Sequence, residues 1–315
     1  MKTSLVRSAE STLQLDEFTA TTDDATDNLD GVIFGTTTVF IEGRSTQFRT
    51  ESTTLGVLSA EANRFAAQRI DSTVNISITH AGSITSSIGV VGDDDSLLPT
   101  QANLEVGKLD GQISQLDIQT ALSSNYSLVL LSLTREEIVQ VIEHGISASG
   151  GDTLSDRFPQ LTGLTFSYDV TLPPGQRVRS LAVTDTEGNI ADVIVRDGVF
   201  QASSSQTTYR IVTTDFLADG GEGYSFPDAA TSNRVNLTEV DTTVNIENNV
   251  ATFAAFGSQQ DAFAEYLAAN FNATPFSVEE TSIEQDVTIQ NLSFRSDTVV
   301  DIDVNTFNLV GTAKG

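Results

Sequence analysis

The stretch from Ser127 to Gly145 places the tightest constraint on the fold, because it joins a buried strand directly to a capped helix. Its first half, SLVLLSL, is the short apolar run of a buried strand. The second half begins at Thr134, has Glu137 three residues later and ends at a glycine, which are the signals of a capping box and of a helix C-terminus. A strand that passes straight into a helix predicts a domain of mixed α/β class.

Strand and helix patterns alternate along the rest of the chain. Apolar residues at three- and four-residue spacing predict a helix from Thr54 to Gln68, capped by a threonine. The segment DAFAEYLAANF predicts another helix over residues 261–271. β-branched and aromatic runs predict strands at 32–43, within 74–91 on both sides of a glycine turn, and at 164–170, 178–185, 191–197 and 208–216.

Three parts of the chain differ in composition. Residues 1–31 are polar and acidic and are predicted to be an arm or linker, and residues 32–275 form the α/β domain. Residues 276–315 alternate apolar and polar side chains, which predicts a β-rich tail that forms a hairpin or adds a strand to the sheet. No apolar run approaches the roughly 20 residues of a membrane-spanning helix.

Charge and composition exclude several function classes. With 43 acidic and 16 basic residues, the net charge of −27 disfavours nucleic-acid binding. The absence of cysteine excludes disulfides and thiolate metal sites, and two histidines cannot build a histidine-rich two-metal hydrolytic centre. An acidic, Thr- and Ser-rich surface with few lysines favours an extracellular or cell-surface protein of bacterial origin.

The acidic runs have two interpretations. In GDDDS the carboxylates of Asp93, Asp94 and Asp95 are hard oxygen ligands that suit calcium, and SDTVVDID over residues 296–303 has a similar character. Such runs are more often a solvated face. No cofactor other than calcium is suggested by the sequence.

The loop DFLADGGEGY holds three glycines between two aromatic residues, Phe216 and Tyr224. Its acids would repel a phosphate, and it supplies too few oxygen ligands for a calcium loop. The glycines suit a tight turn, since glycine reaches positive φ without strain. The flanking aromatic rings suit a clamp for a flat base. Both the turn and the clamp remain open on these grounds.

Four ordered motifs resemble the C-terminal domain of secreted 5′-nucleotidases. YRIVTTDFLADGGEGY is similar to that family's YxVxTNDFLAxGGDGY, and FRTESTTLGVLSAEA to RTEETNLGNLIADA. SLVLLSLTREEIVQVIEHG and RFPQLTGLTFSYDVTLPPGQRV resemble two further family motifs. The resemblance spans about residues 30 to 270. It implies a four-layer α/β/β/α domain that stacks a nucleoside base between two phenylalanines. It also implies that the metal centre and catalytic histidine lie in a separate N-terminal metallophosphatase domain, which this sequence lacks.

Several residues of the family's nucleoside site have counterparts here. By the resemblance, Phe216 is one stacking aromatic, and Glu222 stands where the family has a ribose-binding aspartate. Arg49 matches the arginine of RTEETN, and Gly220 and Gly221 keep the family's turn.

Other family residues are replaced. The motif NGGGIR falls on HAGSIT, so that His80 replaces the asparagine and Thr85 replaces the phosphate-binding arginine. The motif PFGN falls on residues 123–126, with Ser124 in place of the second phenylalanine. Without that arginine no charge-assisted fork meets a phosphate.

Two functional hypotheses follow. In the first, the chain is not an enzyme but a pseudoenzyme-like structural or interaction module outside the cell, which self-associates or binds another extracellular protein through strand addition by its arm and tail. In the second, it is the nucleoside-specificity domain of a 5′-nucleotidase whose metal-bearing domain is on another chain or outside this sequence.

Overall fold

The computed structural model describes residues 28–151, 154–203, 208–240 and 250–301. Its four longest helices are α1 Thr54–Gln68, α2 Gln115–Ala121, α3 Arg135–Gly145 and α4 Gln259–Asn270. Its strands are β1 Ile33–Thr36, β2 Ile76–His80, β3 Val90–Val91, β4 Leu97–Leu98, β5 Gln112–Ser114, β6 Leu128–Thr134, β7 Pro159–Thr162, β8 Leu164–Tyr168, β9 Val178–Thr184, β10 Ile190–Arg196, β11 Val199–Phe200, β12 Thr208–Thr214, β13 Val235–Asn236 and β14 Ile289–Asn291. One-turn helices lie at Ser45–Phe48, Asp215–Ala218 and Ala229–Ser232.

Two five-stranded sheets form the framework. The first has the order β13-β6-β12-β2-β7 and the second the order β11-β10-β9-β8-β14. Alternate residues of β6 divide between two cores, as expected for a strand covered on both faces. Leu128 and Leu130 pack with alanines of α1 and α4, whereas Val129 and Leu131 share a larger core with residues of the second sheet. The predicted mixed α/β class with stacked helical and sheet layers is confirmed.

The local signals for helix starts are confirmed as well, whereas Gly145, the predicted C-cap, is the last residue of α3 and the cap is Ile146. Helix α1 has the predicted bounds, and the Thr53 side chain accepts a hydrogen bond from the Gly56 amide. Helix α3 follows β6 directly through the predicted capping box of Thr134 and Glu137. Helix α4 begins two residues before the predicted helix. Helix α2 has its own capping box, Ser114 with Asp117, which the sequence analysis did not identify.

Two predicted strands are shorter than expected because tertiary contacts redirect the chain. In the segment 32–43 only β1 is a strand, since Thr37 and Thr38 instead hydrogen-bond to Gly111 and Phe276. In the segment 74–91 the chain after β2 forms a single 3₁₀ turn, and the next strand, β3, pairs with β4 rather than with β2.

The described part of the tail lies against the domain. Phe276 is buried and bridges Thr37, and β14 pairs in parallel with β8 at the edge of the second sheet. The rest of the predicted tail, 302–315, and most of the predicted acidic arm, 1–27, lie outside the described residues. Within the described ranges no helix is long and apolar enough to cross a membrane.

Candidate functional site

The glycine loop follows β12 and forms a turn with repeated left-handed backbone. The φ angles are 96° at Gly220, 53° at Glu222 and 77° at Gly223. Glycine adopts such angles without strain, whereas a glutamate there is strained. The glycine-rich composition of the loop is therefore explained by its backbone.

Gly221 is required for a different reason, its close approach to Phe216. A Cβ atom at Gly221 would lie 2.5 Å from two carbons of the Phe216 ring. The loop backbone therefore lies directly against this ring and fixes its position.

Two contacts hold the glycine loop in place, one from His144 of α3 and one made by the loop residue Tyr224. His144, in the last turn of α3, has its Nε2 atom 3.0 Å from the carbonyl oxygen of Glu222 and sets its ring edge-on to Tyr224. The buried Tyr224 hydroxyl donates a 2.6 Å hydrogen bond to the carbonyl of Arg157. The His144 contact therefore ties the loop to the helix.

Three rings meet beside the loop: Phe216, Tyr126 and His80. Tyr126 stacks on Phe216 with ring centroids 4.8 Å apart and an interplanar angle of 16°. His80 stacks on Phe216 at 5.2 Å and 23°, and lies 5.9 Å from Tyr126. We refer to these three residues as the ring cluster.

The ring cluster leaves no space for a further ring between Phe216 and Tyr126. A flat ligand sandwiched between two rings needs about 7 Å between them, since each layer needs about 3.5 Å of carbon–carbon spacing. The observed 4.8 Å is the spacing of two rings in direct contact. A base could enter only if one ring moved.

Tyr126 is the participant that sequence reasoning missed. It lies two residues after Ser124, the exposed serine at the family's second phenylalanine position. Asn125 between them has a φ of 43°, and this left-handed residue turns the chain. An aromatic residue so near the replaced position was the signal that could have identified it.

His80 is held neutral. It is 1% exposed, and burial lowers its pKa to about 4, although the charge of Asp156 opposes the shift. Its Nδ1 atom has no hydrogen-bond partner among the described residues. At neutral pH His80 therefore contributes a flat uncharged ring and no positive charge for a phosphate.

Arg49 is already paired. Its guanidinium binds Asp156 with nitrogen–oxygen distances of 2.5 and 2.7 Å and lies over the Phe48 ring. The Asp156 carbonyl accepts a hydrogen bond from the amide of Gly82, in the turn that follows His80. The Asp156 carboxylate thus neutralises Arg49, and the main-chain carbonyl of Asp156 connects the pair to the turn beside His80.

Thr85, at the position of the family's phosphate-binding arginine, carries no charge. Thr85 donates its hydroxyl proton to the carbonyl of Thr120, 2.6 Å away, at the end of α2. The structure therefore brings Phe216, Gly220, Gly221, Glu222 and His80 around one loop and links Arg49 to them.

The acidic hairpin is separate from this site. Asp93, Asp94 and Asp95 form the turn between β3 and β4, where Asp94 accepts a hydrogen bond from the Ser96 amide. Across the described ranges no group of three or more His, Cys, Asp or Glu side chains is arranged to hold a metal ion. Calcium binding at this turn stays a prediction.

Replacing Glu222 with glycine is expected to raise the free energy of unfolding by about 1 kcal/mol, because left-handed backbone costs a non-glycine residue about 1–2 kcal/mol and the freer unfolded chain offsets part of the gain. Urea unfolding measures the change. The matched control is Glu187→Gly, an exposed turn residue without positive φ, which should give no gain. Equal changes in the two variants would refute the explanation.

Comparison with known proteins identifies one matching family model and several related sequences. The family model described as "5′-nucleotidase, C-terminal domain" matches residues 33–229, more than half of the chain. The Trifunctional nucleotide phosphoesterase protein YfkN of Bacillus subtilis is 25% identical over 193 residues, 61% of this chain and 11% of that protein. A snake venom 5′-nucleotidase of Crotalus adamanteus is 28% identical over 127 residues, 39% of this chain and 20% of that protein. The chain thus spans a small part of these relatives.

Solved structures show the same fold. The 5′-nucleotidase precursor of Thermus thermophilus superposes with a TM-score of 0.58 at 21% identity, over 84% of this chain and 40% of that one. The NAD nucleotidase of Haemophilus influenzae gives a TM-score of 0.53 at 17% identity, over 89% and 41% of the two chains.

Proposed function

Because the chain belongs to the family of 5′-nucleotidase C-terminal domains, we propose that it is a non-catalytic interaction module whose nucleoside-stacking position is filled by its own side chains. The observation that carries this proposal is the 4.8 Å stack of Tyr126 on Phe216. The tyrosine ring occupies the face of Phe216 on which a base would lie.

The charges around the ring cluster support the same proposal. A nucleotide phosphate would meet the carboxylates of Asp215 and Glu222 in the adjacent loop, where Asp219 is paired with Arg234. Arg49 is neutralised by Asp156, and the chain as a whole carries a net charge of −27. Repulsion of a polyanion and the lack of a charge-assisted phosphate contact both disfavour nucleotide binding.

An extracellular or cell-surface location is part of this proposal, supported by relatives that come from snake venom. The proposed partner is a second copy of the chain or another extracellular protein. Apolar side chains available for such a contact lie on the β3–β4 hairpin, where Val91, Leu97 and Leu98 are 49%, 40% and 39% exposed. Light scattering that shows a monomer at every salt and calcium concentration would contradict self-association.

The non-catalytic part of the proposal is tested by AMP hydrolysis. The full chain is incubated with AMP and with manganese, zinc or magnesium in turn, and released phosphate is measured. We expect the rate of the protein-free buffer. Metal-dependent phosphate release that is lost on Phe216→Ala would overturn the proposal.

A second candidate function is favoured by one observation, the near-parallel Tyr126 ring. Tyr126 and Phe216 together resemble a closed two-ring clamp, and rotation of Tyr126 away would open a slot for a nucleoside base. In this case the chain would supply specificity to a metal-bearing domain. The test is thermal stabilisation of the wild type and of Tyr126→Ala by adenosine. A shift in Tm for the wild type that is lost in Tyr126→Ala would favour the clamp, and no shift in the wild type would exclude it.

A further inference from the structure

Lys108 is the single lysine among the described residues, since the other two of the chain are Lys2 and Lys314. Although the protein is strongly acidic, the Lys108 side chain does not lie on the surface and is only 4% exposed. Lysine is rarely this buried unless it is paired, because removing the ammonium from water is costly.

Two aspartates hold the Lys108 ammonium between them. Its Nζ atom lies 2.6 Å from Oδ1 of Asp30, just before β1, and 2.8 Å from Oδ2 of Asp117 in the first turn of α2. The Asp30 side chain is 13% exposed and the Asp117 side chain 21% exposed. A lysine, a carboxyl partner and a second carboxylate that can accept a proton are thus in contact.

Both oxygens of the Asp30 carboxylate receive hydrogen bonds. Besides Lys108, the fully buried Ser114 hydroxyl donates to Oδ1 over 2.7 Å, and Asn103 Nδ2 donates to Oδ2 over 3.1 Å. Burial by itself would raise the pKa of Asp30, but the bonds from Lys108, Ser114 and Asn103 outweigh it and hold the pKa below its usual value. Asn103 is placed to stabilise an oxyanion on Oδ2 of this carboxyl group.

We propose that Lys108 and Asp30 form an intramolecular isopeptide bond. Nζ transfers one proton to Asp117, which passes it to Oδ1 of Asp30, and the resulting amine attacks Cγ of the neutral acid. Asn103 donates to Oδ2, the oxygen that carries the negative charge of the tetrahedral intermediate, and Oδ1 is the oxygen that departs. The Nζ–Cγ bond forms as one Cγ–O bond breaks. The departing oxygen leaves as water with two protons, one delivered by Asp117 and one from Nζ, while the third Nζ proton stays on the amide. No oxidant, reductant or co-reactant is required.

Two physical effects favour this condensation. Groups held in contact react with effective molarities of about 10⁵–10⁸ M, which counters the excess of water over the reactants. The product also replaces two buried charges with one neutral amide, which removes their desolvation cost. The bond would join the segment before β1 to the loop before β5, far apart along the chain.

The test is the intact mass of the full chain under denaturing conditions. We expect the wild type to be lighter than its sequence mass by one water. The control, Lys108→Arg, keeps the positive charge beside Asp30 but has no nucleophilic amine, and should have its full sequence mass. Asp117→Asn, which keeps an acceptor for the helix cap, should lose the water more slowly.

Peptide fragmentation identifies the bond. A branched peptide that links residues 30 and 108 is the expected product. The proposal is overturned if the wild type keeps its full mass after prolonged incubation, since Lys108 and Asp30 then form an ion pair only. It is overturned as well if Lys108→Arg also loses water, because Asp30 precedes Gly31 and that pair can cyclise to a succinimide without any lysine.

Discussion

Replacing Gly163 with alanine is expected to lower the free energy of unfolding by about 3–5 kcal/mol, the sum of left-handed strain and a backbone clash. Gly163 is the single residue between β7 and β8, where the chain passes from the first sheet to the second. Its φ is 78°, and an added Cβ would lie 1.9 Å from the carbonyl oxygen of Asn75. The clash is with backbone of the neighbouring strand segment, which cannot rotate away as a side chain could.

Urea unfolding of Gly163→Ala beside Gly188→Ala separates the two causes. Gly188 has a φ of 82° but no atom within 4 Å of an added Cβ. The free energy of unfolding of the control should therefore fall only by the cost of left-handed backbone strain, about 1 kcal/mol. Equal losses in the two variants would show that the backbone of Asn75 does not approach Gly163 closely.

Thermal stability is expected to fall as the pH rises from about 5 to about 8, because of a cluster of carboxyl groups at the start of α1. Glu280 accepts hydrogen bonds from the amide and hydroxyl of Thr54. The buried Asp286 accepts from the amides of Ser52, Thr288 and Ile289. Glu51, just before α1, lies beside these two carboxyl groups of the tail. Three carboxyl groups are therefore close together where the tail meets the start of α1.

The direction of the pKa shifts determines whether stability falls or rises with pH. Burial raises the pKa of Glu51 to about 7, with help from the charges of Glu280 and Asp286, and burial also raises the pKa of Glu280 to about 7 and of Asp286 to about 6. Groups whose pKa is raised by folding stabilise the protein below their unfolded pKa. That stability is lost as the pH rises through the folded pKa.

Differential scanning calorimetry of the wild type and Glu280→Gln checks this account. The amide keeps an acceptor for Thr54 but cannot ionise, so the variant should lose less Tm between about pH 5 and about pH 8. Glu279→Gln is the control, since Glu279 is the exposed neighbour and should leave the pH dependence unchanged. A wild-type Tm that rises over this interval would contradict the account.

Local signals were predictable from the sequence, and long-range pairings were not. Thr134 and Glu137 encode the start of α3 within four residues, so the capping box could be identified directly. The contacts that define the candidate site join distant segments. Tyr126 meets Phe216 from another loop, and Asp156 pairs with Arg49 across 107 residues. The spacing of residues within one segment does not indicate which distant residue will contact it.

The tail illustrates the same limit. Its alternating pattern predicted an added strand or a hairpin, but only the fold determines which edge receives it. In the described residues β14 lies beside β8, on an edge that would otherwise be open for pairing with another chain.

The central claim is that the ring cluster closes the nucleoside position, and isothermal titration of adenosine into the wild-type chain tests it most directly. Phe216→Ala, titrated alongside, reports any binding that does not use the stacking ring. We predict no heat of binding for either protein at millimolar adenosine. Saturable binding to the wild type that disappears in Phe216→Ala would contradict the claim and would identify the chain as a nucleoside-binding domain.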